Sequence, residues 1–191
     1  MILSSVSLLI LGVILGTSLN VKGRSFLAVY NRYIFTVSAM LLFMYATYQS
    51  SALYEATYSD PIGKFFDVRY FIIFRAGVRI FAPYLVSLIV AFLFMFVAVR
   101  YNRKYNDRFF EKEEIQMGGL SILLVGHPGW IFYLIALIGL YLLLHTTHYL
   151  LHTNREFRLP IYYLWVPTAI FVILISKYWL LGSTLWSLLT I

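Results

Sequence analysis

The chain reads as an all-α, polytopic helical membrane protein with about five transmembrane helices and one short re-entrant, interfacial or kinked segment. Three observations lead there. Of 191 residues, 61% are hydrophobic and only 12% are charged, about half the charge of an ordinary soluble domain. The apolar residues fall in runs of roughly the 20 residues a helix needs to cross a bilayer. The Lys and Arg residues collect between those runs, where they set topology and meet anionic headgroups. A core for this much apolar surface is beyond a soluble chain of this length, so residues 1–191 form a single integral-membrane domain.

The first run, Met1 to Asn20, carries no Lys or Arg before Lys22. It lacks the basic start of a secretory signal and reads as a retained span. Gly12 and Gly16 form a small-xxx-small pattern that permits close helix approach. Lys22, Arg24 and Arg32 then read as a loop, followed by a second span over 33–54. Glu55 to Arg69 reads as a connection with a turn at Asp60-Pro61-Ile62-Gly63. Residues 70–82, YFIIFRAGVRIFA, put Arg75 and Arg79 on one helix face among Phe and Ile. That pattern fits an amphipathic segment in the interface, and the two arginines are candidates for lipid-phosphate or anion binding.

A third span covers about 80–99, opening at Pro83, a residue suited to a first helical turn. Residues 100–114 are densely charged, with five Lys/Arg and four Asp/Glu, and mark an inward-side loop. Residues 115–129 are ambiguous. They are bounded by Gly118 and Gly119 at one end and by His127, Pro128 and Gly129 at the other, which reads as a helix break with flexible ends. Broken helices at membrane depth occur where protein or a cavity covers them. The fourth span is 130–152 and the fifth 161–178, with a kink expected at Pro167. With the amino terminus outside, five spans place nine basic residues inside and six outside, with Lys177 inside and Arg155 and Arg158 outside.

The candidate chemistry is sparse. His145, His148 and His152 fall at i, i+3 and i+7, within one narrow helical stripe. Imidazoles at this spacing suit a metal or an axial haem contact. The simpler reading is a helix end at headgroup level, where His, Thr and Tyr sit comfortably, so a haem or metal is not favoured and the cofactor is left open. With no cysteine, thiolate metal sites and Cys nucleophiles are excluded. No charged residue lies centrally in a span, which argues against ion pumping. Gly-rich phosphate loops, HExxH and GxSxG are absent, and no catalytic residue is assigned.

From Gly118-Gly119 through the fourth span to Arg158-Leu159-Pro160 and the final helix, the layout resembles the carboxyl half of prepilin peptidases. That family has a Gly-rich motif ending in a catalytic Asp, then a span, then a basic loop with Ile/Leu-Pro. Asp67 can stand for the family's first aspartate. The second is missing, because Leu120 and Ser121 follow the glycine pair, and so is the amino-terminal cysteine motif. The resemblance covers under half the chain and implies an inactive relative, since the chemistry needs two carboxylates.

The function expected from these residues is a non-catalytic integral subunit of a larger membrane complex. It would act as a helix scaffold that contacts lipid and possesses, in one variant, a cofactor-anchoring histidine. The expected partners are membrane lipids, including anionic headgroups, and other membrane subunits; nucleic acid is not among them. The alternatives are a membrane-embedded enzyme, including an inactive prepilin-peptidase-like protein, and a small transporter using the break at 118–129. Which membrane holds the chain is not written in it.

Overall fold

A computed structural model describes residues 2–18, 21–59, 65, 67–106, 110–151 and 162–179. Their secondary structure is helical, with no strand among them. The elements are α1 (Ile2–Ser18), α2 (Val21–Ser59), α3 (Val68–Tyr70), a π-helical stretch (Phe71–Phe81), α4 (Ala82–Lys104), α5 (Lys112–Val125), α6 (Gly129–Leu151) and α7 (Tyr162–Tyr178). Two helical runs are long and apolar enough to cross a bilayer, Val68–Lys104 and Gly129–Leu151. The helices Ser5–Ser18 and Tyr163–Tyr178 are apolar but shorter. The long α2 interleaves Tyr, Ser, Thr and Gln with its apolar residues.

The bundle is built around α5, the shortest of the main helices. Nearly every side chain from Glu114 to Leu124 is buried, with α1, α2, α4, α6 and α7 all packed against it. Its start is fixed twice. The Glu114 carboxylate accepts the Glu111 N–H at 2.9 Å, and the Glu111 side chain accepts from the Glu114 backbone, a reciprocal capping box. Asn102 of α4 then clamps the preceding residue, donating to the Phe110 carbonyl at 2.6 Å and accepting its N–H at 3.0 Å.

The glycine pair has a different role from the one expected. Gly118 and Gly119 lie inside an unbroken helix, so the break predicted there does not exist. A Cβ on Gly118 would stand 2.7 Å from the Phe94 ring and 2.8 Å from Trp165, and one on Gly119 would stand 2.7 Å from Met95. The pair lets α5 approach α4 and α7 closely, the use small residues have between membrane helices. The interruption falls only at Gly126-His127-Pro128. Gly126 has φ +78°, a conformation that suits glycine, and the His127–Pro128 peptide is cis.

Two further expectations change. Lys22, Arg24 and Arg32 belong to α2 rather than to a loop, because helix α2 runs unbroken from Val21 to Ser59, and its 39 residues extend about 58 Å. The segment 70–82 is not a separate element. It is wound mostly as π-helix and continues directly into α4. The burial follows the winding: Phe71 and Ala76 are five apart in the π stretch, whereas Tyr84, Ser87, Ala91 and Ala98 keep α-helical intervals in α4. Pro83 stands just after the register changes, where Ala82 still bonds back to the Gly77 carbonyl, and it offers no N–H of its own. Helix α7 continues through Pro167 from Tyr162 to Tyr178.

Contacts among the described residues gather several helix ends at one end of the bundle. Asn31 near the start of α2 donates to the Glu113 carbonyl at 3.3 Å. Phe110 packs on Trp165 near the start of α7, with ring centroids 6.5 Å apart. Ser18 at the end of α1, Met117 and Tyr163 line one crevice. The carboxyl ends of α1 and α4 and the amino ends of α2, α5 and α7 therefore lie together.

Candidate functional site

A groove of about 550 Å³ lies between α2 and α4, floored by α5. From α2 it takes Arg32, Phe35, Thr36, Ala39, Met40 and Phe43, residues that recur at three- and four-residue intervals and so share one helix face. Leu88, Phe92 and Met95 of α4 form the facing wall, and Gln116 of α5 closes one end. The groove exists because α2 and α4 meet edge to edge through aromatic pairs rather than along a packed seam: Phe35 meets Phe92 with centroids 5.6 Å apart, and Phe43 meets Tyr84 at 6.4 Å.

Its polarity is one-sided. Arg32, Thr36 and Gln116 sit at one end, and the remaining lining is apolar. The Thr36 hydroxyl already donates to the Arg32 carbonyl at 3.0 Å. Neither the Arg32 guanidinium nor the Gln116 amide has a hydrogen-bond or ion-pair partner among the described residues.

A second polar region lies inside the bundle. The Tyr133 hydroxyl of α6 donates to the Trp165 carbonyl of α7 at 3.2 Å, and both side chains are buried. Ser121 of α5 lies beside Tyr133 without closing a well-formed hydrogen bond. The Trp165 Nε1 and Thr168 Oγ1 atoms are also buried without a hydrogen-bond partner among the described residues. These groups are uncharged, so the region offers hydrogen bonds and no acid–base pair.

The sequence-predicted residues are dispersed. His145 is exposed and stacks on Tyr141 with ring centroids 5.9 Å apart; His148 is half-buried; His152 lies outside the described residues. His127 is at the opposite end of α6, where its Nδ1 accepts the Trp130 indole N–H at 3.2 Å. No group of three or more His, Asp or Glu side chains converges to hold a metal among the described residues. Arg79 is exposed, while the Arg75 side chain lies outside the described residues. Pro128 and Gly129 are buried in the turn that joins α5 to α6.

Asp67 caps α3, accepting the Arg69 N–H at 3.0 Å. Leu120, which follows the glycine pair, is 1% exposed. Gly118 faces Phe94, and the helical run from Asp67 to Phe94 is about 40 Å long at 1.5 Å per residue. Asp67 and the glycine pair are therefore not brought together. Arg158-Leu159-Pro160 lies outside the described residues.

Sequence reasoning missed Arg32 and Gln116 as a pair, and Asn31, Asn102 and Glu114 as the buried polar residues that fix the start of α5. The α2 stripe from Arg32 to Phe43 was present as a helical periodicity. Its pairing with Gln116 is a tertiary fact with no local signal.

No protein-family model, characterised protein or solved structure matches the chain.

Proposed function

We propose that the chain is a multi-pass integral membrane protein that serves as a non-catalytic scaffold subunit of a larger membrane complex. The observation that carries this reading is the apolar outer surface of the helices. Large apolar side chains face outward on every long helix, among them Leu9 and Val13, Met40 and Met44, Ile89 and Phe96, Leu142 and Leu143, and Phe171. The interior is apolar as well, with Leu11, Leu42, Leu120 and Trp165 buried, and it also takes in the small or polar Ser7, Asn31, Ser38, Ser87, Ser121 and Thr168. Water disfavours such a surface, since soluble monomers rarely expose large contiguous apolar patches. In lipid the same surface costs nothing, and small inward residues let helices pack closely.

The helix order supports six segments rather than five. Helix α5 is about 21 Å long for its 14 residues, short of the roughly 30 Å hydrocarbon core. It starts beside the end of α4, returns along it, and hands over to α6 through the 126–128 turn. Enclosed by its neighbours, it acts as a crossing segment that lipid does not touch. The α6–α7 connection then shares a side with the α4–α5 connection. Arg155 and Arg158 join Lys22, Arg24, Arg32 and the five basic residues of 100–112, giving ten on one side against five on the other. That asymmetry exceeds the one obtained with five spans and puts the ten-residue side inward.

The scaffold role draws on α6. Beyond Leu137 none of its residues is buried, and Ile138, Leu142, Leu143, Leu150 and Leu151 are exposed. A helix half this apolar and this exposed suits a neighbouring subunit's helices. Native mass spectrometry of the protein extracted from its own membrane in mild detergent tests this. The expected result is a stoichiometric set of other subunits; a bare monomer, with or without lipid, would contradict the subunit role.

A further inference from the structure

We propose that the groove between α2 and α4 binds a single anionic membrane lipid, with one acyl chain along the groove and the phosphate at Arg32 and Gln116. The proposal rests on the membrane reading above. Three observations select this ligand.

The first is shape. The lining runs from Arg32 to Phe43 on α2, eleven residue steps or about 16 Å along the helix axis. Its 550 Å³ and elongated apolar lining suit an extended acyl chain.

The second is chemistry. Ala39, Met40, Phe43 and Leu88 line the apolar portion, and methionine and small residues accommodate a flexible chain. A cation and an amide with free donors stand together at one end. Arg forks phosphate oxygens, and an amide adds a further N–H donor. A zwitterionic headgroup would bring a second cation to Arg32, whereas an anionic one does not.

The third is position. The polar end lies toward Asn31, Glu113 and the close of α4, the end where the basic connections collect. That side faces the leaflet in which anionic lipids are enriched, so chain and headgroup enter in the orientation a lipid already has.

The test is native mass spectrometry of the full chain in detergent, with phosphatidylglycerol or phosphatidylcholine of identical acyl chains added. The wild type is expected to retain one phosphatidylglycerol under activation that strips phosphatidylcholine. Arg32→Gln should reduce that preference about tenfold, the loss of one charge-assisted contact. Ala39→Trp should abolish retention of both lipids by filling the groove, and Arg69→Gln, an exposed arginine at the far end of the bundle, should change neither. Circular dichroism melts of each variant confirm that a lost adduct is not a lost fold. Inorganic phosphate alone should displace none of the lipid. Equal retention of the two lipids by the wild type, undiminished retention in both groove variants, or displacement by inorganic phosphate would each overturn the proposal. Alkaline carbonate extraction separates this from the premise: a chain released from membranes by carbonate refutes the membrane reading itself, whatever the lipid result.

Discussion

Helices α5 and α6 follow one another in sequence and are both strongly apolar, yet they end in opposite environments. Every residue of α5 from Met117 to Leu124 is buried, whereas α6 buries only Gly129, Tyr133 and Leu137. Hydrophobicity therefore does not decide which helix is enclosed. What differs is side-chain size at the contact face and how the ends are held. α5 carries two adjacent glycines where Phe94, Met95 and Trp165 press in, and its start is tied by the Glu111–Glu114 box and by Asn102. α6 after Leu137 is mostly Leu, Tyr and His, and its one glycine there, Gly139, has nothing within 4 Å of where a Cβ would stand. In a membrane, where lipid rewards apolar surface as well as a protein interior does, close approach and polar satisfaction determine the centre of a bundle.

The sharpest way to break this contrast is to remove the close approach. Gly118→Leu places a side chain where even a Cβ meets Phe94 and Trp165 within 3 Å. Overpacking of this kind costs about 3 kcal/mol or more, and the expected result is a large fall in melting temperature in detergent, or failure to extract as a monodisperse species. Next comes Asn102→Ala. It removes two hydrogen bonds and leaves the Phe110 N–H and carbonyl without those partners, a loss of about 2–3 kcal/mol, readable as a lowered melt with the helical signal intact. Glu114→Ala opens the capping box and should cost about 1 kcal/mol, read as a smaller shift in the same assay. Leu142→Ala on α6 marks the bottom of the scale. It is exposed within the chain, so its effect on the isolated protein should stay within about 0.5 kcal/mol. A large loss at Leu142, or none at Gly118, would erase the contrast between the two helices.

The fold was partly legible in the sequence, and the illegible parts have physical causes. Helical character follows from the apolar runs and is found in the described residues. The extent of α2 was not legible, because Lys22, Arg24 and Arg32 look like a loop when charge is taken as an interruption. Helices readily carry charge beyond the bilayer. The glycine pair misled in the opposite direction. Glycine weakens a helix locally, and only the positions of Phe94, Met95 and Trp165 show that packing repays it. The candidate site was least legible. The histidine stripe is a strong local pattern, but His145 is exposed, whereas the groove joins residues of α2, α4 and α5 spread from Arg32 to Gln116.

In the proposed topology α5 reverses the chain inside the bundle and so places the two basic connections on the same side of the membrane. The absence of cysteine makes the test clean. Single substitutions Asn106→Cys and Asn154→Cys mark the α4–α5 and α6–α7 connections, with Ser121→Cys as the enclosed control, and a membrane-impermeant maleimide is applied to intact cells and to inverted vesicles. Labelling of Asn106→Cys and Asn154→Cys from one and the same side, with Ser121→Cys unlabelled from both, is the predicted result. Labelling of those two positions from opposite sides would mean that α5 does not cross and would contradict the account.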